Sequence, residues 1–250
     1  MITIVIPVLN ESKSINDLLI HITENASEKN ITDILVIDGG STDATRSIVA
    51  ECIETTAFPI RLLFSEKGRA KQMNTGARAA KGSVLYFLHA DSFPPNNFDT
   101  DILSEVAKGN LAGCFSMKFD STHWWLKLVG WFTKFSWRAC RGGDQSQFIT
   151  KNLFTEIGGF DENYGIYEDN ILINELYARN EFTVIPKRLT TSARLYHEKG
   201  VWNIQYHFLV IYFKKWMGAD ATELQTYYCA KVRGTKKNSK RSISNVFSDK

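Results

Sequence analysis

Four short apolar runs, each followed by a stretch with helical periodicity, limit this chain more than any other feature. Residues 2–8, 33–38 (DILVID), 60–64 and 84–88 are rich in β-branched and large apolar side chains. Near-continuous runs of this kind suit strands covered on both faces. Between them the spacing is helical: from about Ser14, from the turn at 39–43 to about Glu54, and through Ala70, Met73, Ala77 and Ala80. The βαβαβαβ order predicts an α/β fold, a Rossmann-like, mostly parallel sheet with helices on both faces.

The last of these strands carries the sharpest functional signal. VLYFLHADSFPP (84–95) delivers His89 and Asp91 at its C-terminal end, and Pro94 and Pro95 then fix a turn. Ligands of open α/β sheets bind just beyond the carboxyl ends of the strands. A carboxylate there is placed to hold a divalent cation, which in turn holds a phosphate. Asp91 therefore reads as a metal ligand in a nucleotide-dependent transferase. Glu11 and Asp38 follow the first and second strands, so three acids are expected at one sheet edge. Each alone is explained by polar loop chemistry, and Asp38 by turn formation ahead of Gly39 and Gly40; together they favour a site. GRAKQMN (68–74) opens a helix, and helix N-termini attract phosphate. Solvated surface charge accounts equally well for Arg69 and Lys71. Glu168 and Asp169 begin another helix, where the macrodipole favours acids whatever their role. An acid fixed there beside a ligand crevice is also a good general base. The spacing is compatible with both.

Glycine placement excludes two nucleotide-binding classes. The loop after the first strand reads VLNESKS, without the G-x-G-x-x-G of a dinucleotide-dependent oxidoreductase, and no G-x-x-x-x-G-K-[ST] P-loop occurs. Cys52, Cys114, Cys140 and Cys229 lie far apart with no C-x-x-C pair, which favours reduced thiols in a cytosolic protein over disulfides or zinc. The N-terminal apolar run lacks a basic flank and contains Pro7, so it reads as a strand rather than a signal peptide. No uncharged apolar stretch of about 18 residues is present to span a bilayer. The formal charge of +3 hides a division: from Lys231 onward seven Lys or Arg face one acid, which leaves 23 basic and 26 acidic residues before it. The body is mildly acidic, and the basic tail, 231–250, reads as a solvated, disordered end.

The middle of the chain changes character. Four of the six tryptophans fall in HWWLKLVGWFTKFSWR (123–138), and Trp202 and Trp216 bracket most of VWNIQYHFLVIYFKKWMG (201–218). Interleaved Trp, Phe and Lys suit an amphipathic helix at a membrane interface. A helix packed on the sheet, or a cleft that stacks sugar rings on indoles, fits the composition as well.

Six segments occur in a specific order: IPVLNE (6–11), DGGSTDAT (38–45), GRAKQMNTGA (68–77), FLHADS (87–92), GGDQ (142–145) and GGFDEN…YED (158–169). Together they resemble the family 2 glycosyltransferases of GT-A fold, in particular the subgroup with HAD, GGDQ and TSAR, over roughly residues 1–218. The resemblance implies inverting transfer of a sugar from a nucleotide-diphosphate sugar to an acceptor hydroxyl, with Mg or Mn as cofactor. It implies that Pro7, Asn10 and Glu11 line the nucleotide pocket and that Asp38 bonds the base or ribose. Gly68, Arg69 and Lys71 would lie near the diphosphate and ribose, with Asn74 facing the nucleoside. Asp91 matches the last acid of the family's DxD element; the element here reads HAD, so His89 stands in place of the first acid. Asp169 matches the base of inverting members, with Glu168 orienting it or meeting the acceptor. Asp144 and Gln145 fall where a sugar sits. In TSARLYHEKG (191–200), Arg194 would neutralise the leaving diphosphate and His197 would complete the metal shell. Gly39 stands where many members carry a second acid, and the Q-x-x-R-W of processive synthases is missing.

The expected layout is a GT-A domain over 1–200, with a nucleotide-binding half to about 110 and an acceptor half beyond it. An aromatic helical extension (201–230) and the basic tail come after it. Expected partners are a nucleotide-sugar donor and an acceptor, lipid-linked or soluble, with peripheral membrane contact through 123–138 and 201–218 on the cytoplasmic side. Nucleic acid is not expected, because the tail lacks interleaved aromatics. Two further classes stay open: a non-catalytic sugar-nucleotide-binding module, and a nucleotidyltransferase, which would show a G-x-G-T-R-type loop after the first strand.

Overall fold

The computed structural model describes residues 1–142 and 145–234. Its first half runs β1 (Ile2–Val8), α1 (Ile15–Asn25), β2 (Ile31–Asp38), α2 (Thr45–Thr55), β3 (Ile60–Phe64), α3 (Arg69–Ala79), β4 (Val84–Phe87), β5 (Ser92–Phe93) and α4 (Phe98–Ala107). The second runs β6 (Ala112–Asp120), α5 (Trp124–Phe132), β7 (Gln147–Thr150), α6 (Lys151–Ile157), α7 (Glu168–Ala178), β8 (Thr183–Ser192), α8 (Arg194–Lys199), α9 (Val201–Trp216) and α10 (Ala221–Tyr228). The strands form an eight-stranded sheet in the order β3-β2-β1-β4-β7-β6-β8-β5. The four strands from β3 to β4 are parallel. β7 is antiparallel to both β4 and β6, β8 is parallel to β6, and β5 closes the far edge antiparallel to β8. The α/β fold with a mostly parallel sheet is the one expected.

Alternation along β1 explains why its sequence looks uniformly apolar. Ile2, Ile4, Ile6 and Val8 enter one buried cluster with Leu18 and Ile22 of α1 and Phe98 of α4. Val5 enters the other, with Leu35 and Ile37 of β2, Ala70 and Met73 of α3, and Leu172 of α7. Both faces are covered, so few positions are left for polar residues. Pro7 is tolerated in this central strand because of where its pairing ends. Val5 accepts from Leu88 N–H at 3.0 Å, so alternation points the imino position of Pro7 the same way, past the end of β4. Small residues let α3 close on the sheet: a Cβ on Gly76 would stand 2.3 Å from Val5 Cγ1.

Three departures from the sequence reading have local causes. The aromatic segment 123–138 is not one helix, for α5 stops at Phe132. Thr133 Oγ1 donates to Gly130 O at 2.6 Å, and buried Arg141 donates to the Thr133 and Phe135 carbonyls at 2.5 and 2.7 Å. The guanidinium takes carbonyls that a continuing helix would use. β8 is ten residues long and carries a bulge, Phe115 pairing with Ile185 but Ser116 with Arg188. Pro186, lacking an N–H, falls in the skipped pair. Finally, β5 pairs at the sheet edge, with β7, β6 and β8 between it and β4, although only four residues separate the two in sequence. Residues 88–91 therefore cross from the end of β4 to the end of β8, where Ser192 N–H donates to Asp91 O at 3.1 Å and the Ser92 and Thr191 hydroxyls meet at 2.9 Å. Among the described residues no helix is long and apolar enough to cross a membrane.

One buried side chain ties the carboxyl ends of β1 and β2. Gln72 of α3 donates through Nε2 to Val8 O at 2.8 Å and to Ile37 O at 2.7 Å. Gln72→Leu retains the volume and removes both bonds. We expect a stability loss of about 1–3 kcal/mol, seen as a lower urea midpoint at unchanged m-value.

Candidate active site

The loops that leave β1 and β2 are stitched to each other. Asn10, at φ 59°, accepts through Oδ1 from Thr42 N–H at 2.8 Å, and its own N–H donates to Ser41 Oγ at 2.9 Å. Glu11 N–H donates to Thr45 Oγ1 at 2.9 Å. Asn is among the few residues that accept a left-handed backbone readily. Asp38 lies fully buried beneath this loop and accepts from the N–H groups of Gly40 and Ser41 at 3.1 Å and from Arg46 Nε at 2.7 Å. Burial acts to raise its pKa, but the donors of Ser41, Arg46 and Gly40 outweigh it and hold the carboxyl below its ordinary range. Its oxygens thus hold the loop, a role beside the contact to base or ribose that the resemblance implies.

Glu11 and Asp91 converge at the sheet edge, with Arg194 beside them. Arg194 Nη2 stands 3.5 Å from Glu11 Oε2, and Ser14 Oγ donates to the same oxygen at 3.1 Å. Burial is the main cause that raises both carboxyl pKa values. Arg194 opposes it at both, Asp91 adds to it at Glu11, and Arg69 opposes it at Asp91. His89 shares the turn, its carbonyl accepting from Ser92 N–H at 3.1 Å.

The expected three-residue metal shell does not assemble: among the described residues no three His, Cys, Asp or Glu side chains stand close enough to hold an ion. His197 is exposed on α8 and lines an open cavity of about 430 Å³ with Lys118, Asp120 and Thr190, a lining that does not include Asp91. What remains is two partly desolvated carboxylates. That donor set fits a hard cation such as Mg²⁺ or Mn²⁺, which characteristically takes one or two protein carboxylates and completes its shell from phosphate and water.

Arg69, the first residue of α3, links this group to a second pair of acids. Its Nη1 stands 3.3 Å from Asp169 Oδ2 and its Nε 3.5 Å from Glu168 Oε1. Glu168 is only 1% exposed, and neither of its oxygens receives a hydrogen bond. The first turn of α7 is held from both sides. Tyr167, just before it, has φ 74° and packs edge-on against Tyr212 of α9, ring centroids 5.5 Å apart. A left-handed tyrosine costs on the order of 1–3 kcal/mol, which surrounding contacts must offset. On the other side Arg138 Nη2 donates to Asn170 Oδ1 at 2.9 Å and to Asn170 O at 3.3 Å.

The remaining expected residues divide. Gly68, at φ 145°, precedes α3 and accepts from Gln72 N–H at 2.9 Å. Lys71 pairs with Glu66, whose charge and hydrogen bond raise the lysine pKa. Pro7 lies in β1 one residue before the loop. The half-buried Asn74 brackets the 158–160 turn with its carboxamide, donating to Phe160 O and Glu162 Oε1 at 2.9 Å and accepting from Phe160 N–H at 3.0 Å. Gln145 is buried, donating to Cys140 O at 3.1 Å and accepting from Arg141 Nη1 at 3.0 Å. Both side chains support loops. Asp144 lies outside the described residues. Arg46, Gln72 and Tyr167 were not anticipated. Gln72 lies within GRAKQMN, but only the fold brings its carboxamide to two strand ends.

A sequence-family model described as glycosyl transferase family 2 matches residues 3–160, more than half of the chain. The glycosyltransferase AglE of Haloferax volcanii is 30% identical over 95 residues, 37% of this chain and 31% of that protein. An uncharacterised glycosyltransferase of Mycobacterium tuberculosis is 30% identical over 151 residues, 56% of this chain and 55% of that protein. The chain thus spans about a third to about half the length of these curated relatives. Among solved structures, the mannosyltransferase PcManGT of Pyrobaculum calidifontis, in complex with GDP-Man and Mn²⁺, superposes with a TM-score of 0.63 at 21% identity over 91% of this chain and 69% of that one.

The raised carboxyl pKa values have a consequence for stability. A carboxylate whose folded pKa lies above its unfolded value destabilises the fold at pH above the folded pKa, and the penalty vanishes below the unfolded pKa, near 4. Asp91→Asn should therefore melt above the parent at neutral pH in the absence of donor. The gap should close as pH falls towards 4. A variant that melts lower at pH 7 would show that the carboxylate is net stabilising.

Proposed function

The chain belongs to glycosyl transferase family 2, and we propose that it transfers a sugar from a nucleotide-diphosphate sugar to an acceptor hydroxyl with inversion at the anomeric carbon. The observation that carries this reading is the reach of Arg69, which contacts Glu168 and Asp169 and also lies within electrostatic range of Asp91. A donor-side group (Glu11, Asp91 and Arg194) and a base-side pair thereby share one sheet edge. PcManGT, with its bound GDP-Man and Mn²⁺, supports extending a donor of that chemical class and a divalent ion to this chain.

Asp91 and Glu11, beside His89, would hold Mg²⁺ or Mn²⁺, which when bound neutralises charge on a departing diphosphate. The protein's own groups do the rest. Arg194 faces the same anionic group and balances charge as the sugar–phosphate bond breaks. Asp169 accepts the acceptor's hydroxyl proton as that oxygen attacks the opposite face of the anomeric carbon. Glu168 positions Asp169 through Arg69. In the donor-free protein Arg69 neutralises the base; a bound diphosphate gives the guanidinium a second anion to serve. The acceptor in this reading is carried on a lipid, and the enzyme works at the cytoplasmic face of a membrane.

Screening nucleotide sugars by thermal shift, with and without Mn²⁺ or Mg²⁺, identifies the donor, and no binding at all would defeat the reading. Asp169→Asn should keep donor binding and lose transfer by about 10²–10⁴-fold. Transfer at the parental rate would remove Asp169 as the base. Asp91→Ala should weaken donor binding only where it depends on the divalent ion; unchanged metal dependence would take Asp91 out of the shell.

A further inference from the structure

α9 is apolar on two faces. Ile204 and Ile211 are buried against the core, the ordinary use of an amphipathic helix. On the other side Trp202, Tyr206, Leu209, Phe213 and Trp216 succeed one another at steps of four, three, four and three residues, which makes one stripe. All five are exposed, Leu209 by 68% and Trp216 by 79%. At about 1.5 Å per residue the stripe runs roughly 21 Å. α5 adds Trp124, Leu128, Trp131 and Phe132, also exposed. The two stripes are continuous, for the Trp202 ring lies 6.0 Å from Trp124 and 5.2 Å from Trp125. Contiguous apolar surface on this scale marks an interaction site.

Charge says what kind of partner fits. Neither 121–143 nor 199–219 contains an Asp or Glu, and Lys127, Lys134 and Lys199 are exposed there; Arg141 is buried and Lys214 pairs with Glu223 of α10. Residues 1–230 as a whole carry three more acids than bases, so this face departs from the body around it. The Lys134 ammonium rests over the Trp131 ring, 3.9 Å from its centroid, on a residue that is itself exposed. Aromatic rings interleaved with lysine on a helix face are the composition of an interfacial helix. A two-fold contact with a second copy would set the same lysines against each other.

We propose that the exposed faces of α5 and α9 form a docking surface for an anionic lipid bilayer, with α9 lying in the interface plane. The proposal rests on the reading of a lipid-carried acceptor and deepens it, because α9 also touches the approach to the base. Tyr212 packs on Tyr167, and Lys215 Nζ donates to Tyr164 OH at 2.6 Å. The helix on the bilayer is thus in contact with the segment that leads into Glu168 and Asp169.

The test is co-sedimentation of the full chain with phosphatidylcholine vesicles, with and without phosphatidylglycerol, alongside tryptophan emission. Pelleting and a blue shift are expected with the mixed vesicles. Leu209→Glu combined with Phe213→Glu should lower the partition coefficient by about tenfold or more, the scale set by losing a buried large apolar side chain. Thermal melting and nucleotide-sugar binding should stay at parental values, because both positions are exposed. No pelleting with either vesicle overturns the proposal, and equal pelleting with neutral vesicles overturns its anionic part. Pelleting unchanged by the double variant would move the attachment to the basic tail. A concentration-dependent dimer dissolved by that variant, without vesicle binding, would assign the face to a second copy. Donor binding is measured separately, so failure of the glycosyltransfer reading gives a different result.

Discussion

The carboxamide of Gln72 is the contact on which the site edge depends. Its two donated bonds fix the ends of β1 and β2 relative to α3, and the loops that carry Asn10 and Asp43 start from those ends. The same side chain explains a peculiarity of the second loop. A Cβ on Gly39 would stand 2.8 Å from Gln72 Cδ and Oε1, so any side chain there displaces the carboxamide from its carbonyls. Glycine at 39 and glutamine at 72 are one arrangement, seen from β2 and from α3. With the strand ends held, Asn10, Ser41, Thr42 and Thr45 can lace the loops together and seat Asp38 beneath them.

Charge at the site is distributed unevenly. Asp38 is saturated with donors and held below its ordinary pKa, as a structural carboxylate should be. Glu11 and Asp91 are pushed up, and Glu168 is buried without a hydrogen-bond donor. Arg69 and Arg194 offset part of that cost, but each is substantially exposed and serves more than one anion. Such a cluster is poorly satisfied by the protein alone, and an ion or a phosphate would improve it. Acids whose charge the fold satisfies and acids whose charge it only partly offsets can therefore be told apart by their hydrogen-bond partners.

Much of the fold was legible because the strands are buried on both faces. The bounds of β1 and β3 coincide with their apolar runs. Glu11 and Asp91 were readable together because sheet topology carries strand ends to a common edge, and Arg194, which stands beside them, was implied by the resemblance alone. The features left unread depend on long-range partners. Asn74 and Gln145 have the residue types of ligand contacts, but their amides meet backbone groups whose position only the folded chain defines. The resemblance through TSAR implies His197 as a metal ligand, yet α8 carries it to another cavity. The break after Phe132 comes from Arg141, eight residues beyond Thr133, whose carbonyl it takes. No local periodicity encodes that.

The crossing of residues 88–91 from β4 to β8 has a consequence for the order in which the protein is built. β1, β2 and β3 pair through neighbouring segments, and β4 joins them on β1. Asp91, in contrast, gains its backbone partner Ser192 and its neighbour Arg194 only after another hundred residues have been added. Contacts so distant in sequence carry the largest loop-closure entropy and form late. A chain stopped before β8 could retain the first sheet and its loops while lacking the surroundings of Asp91. Completion of the site is in this way a report that the fold itself is complete.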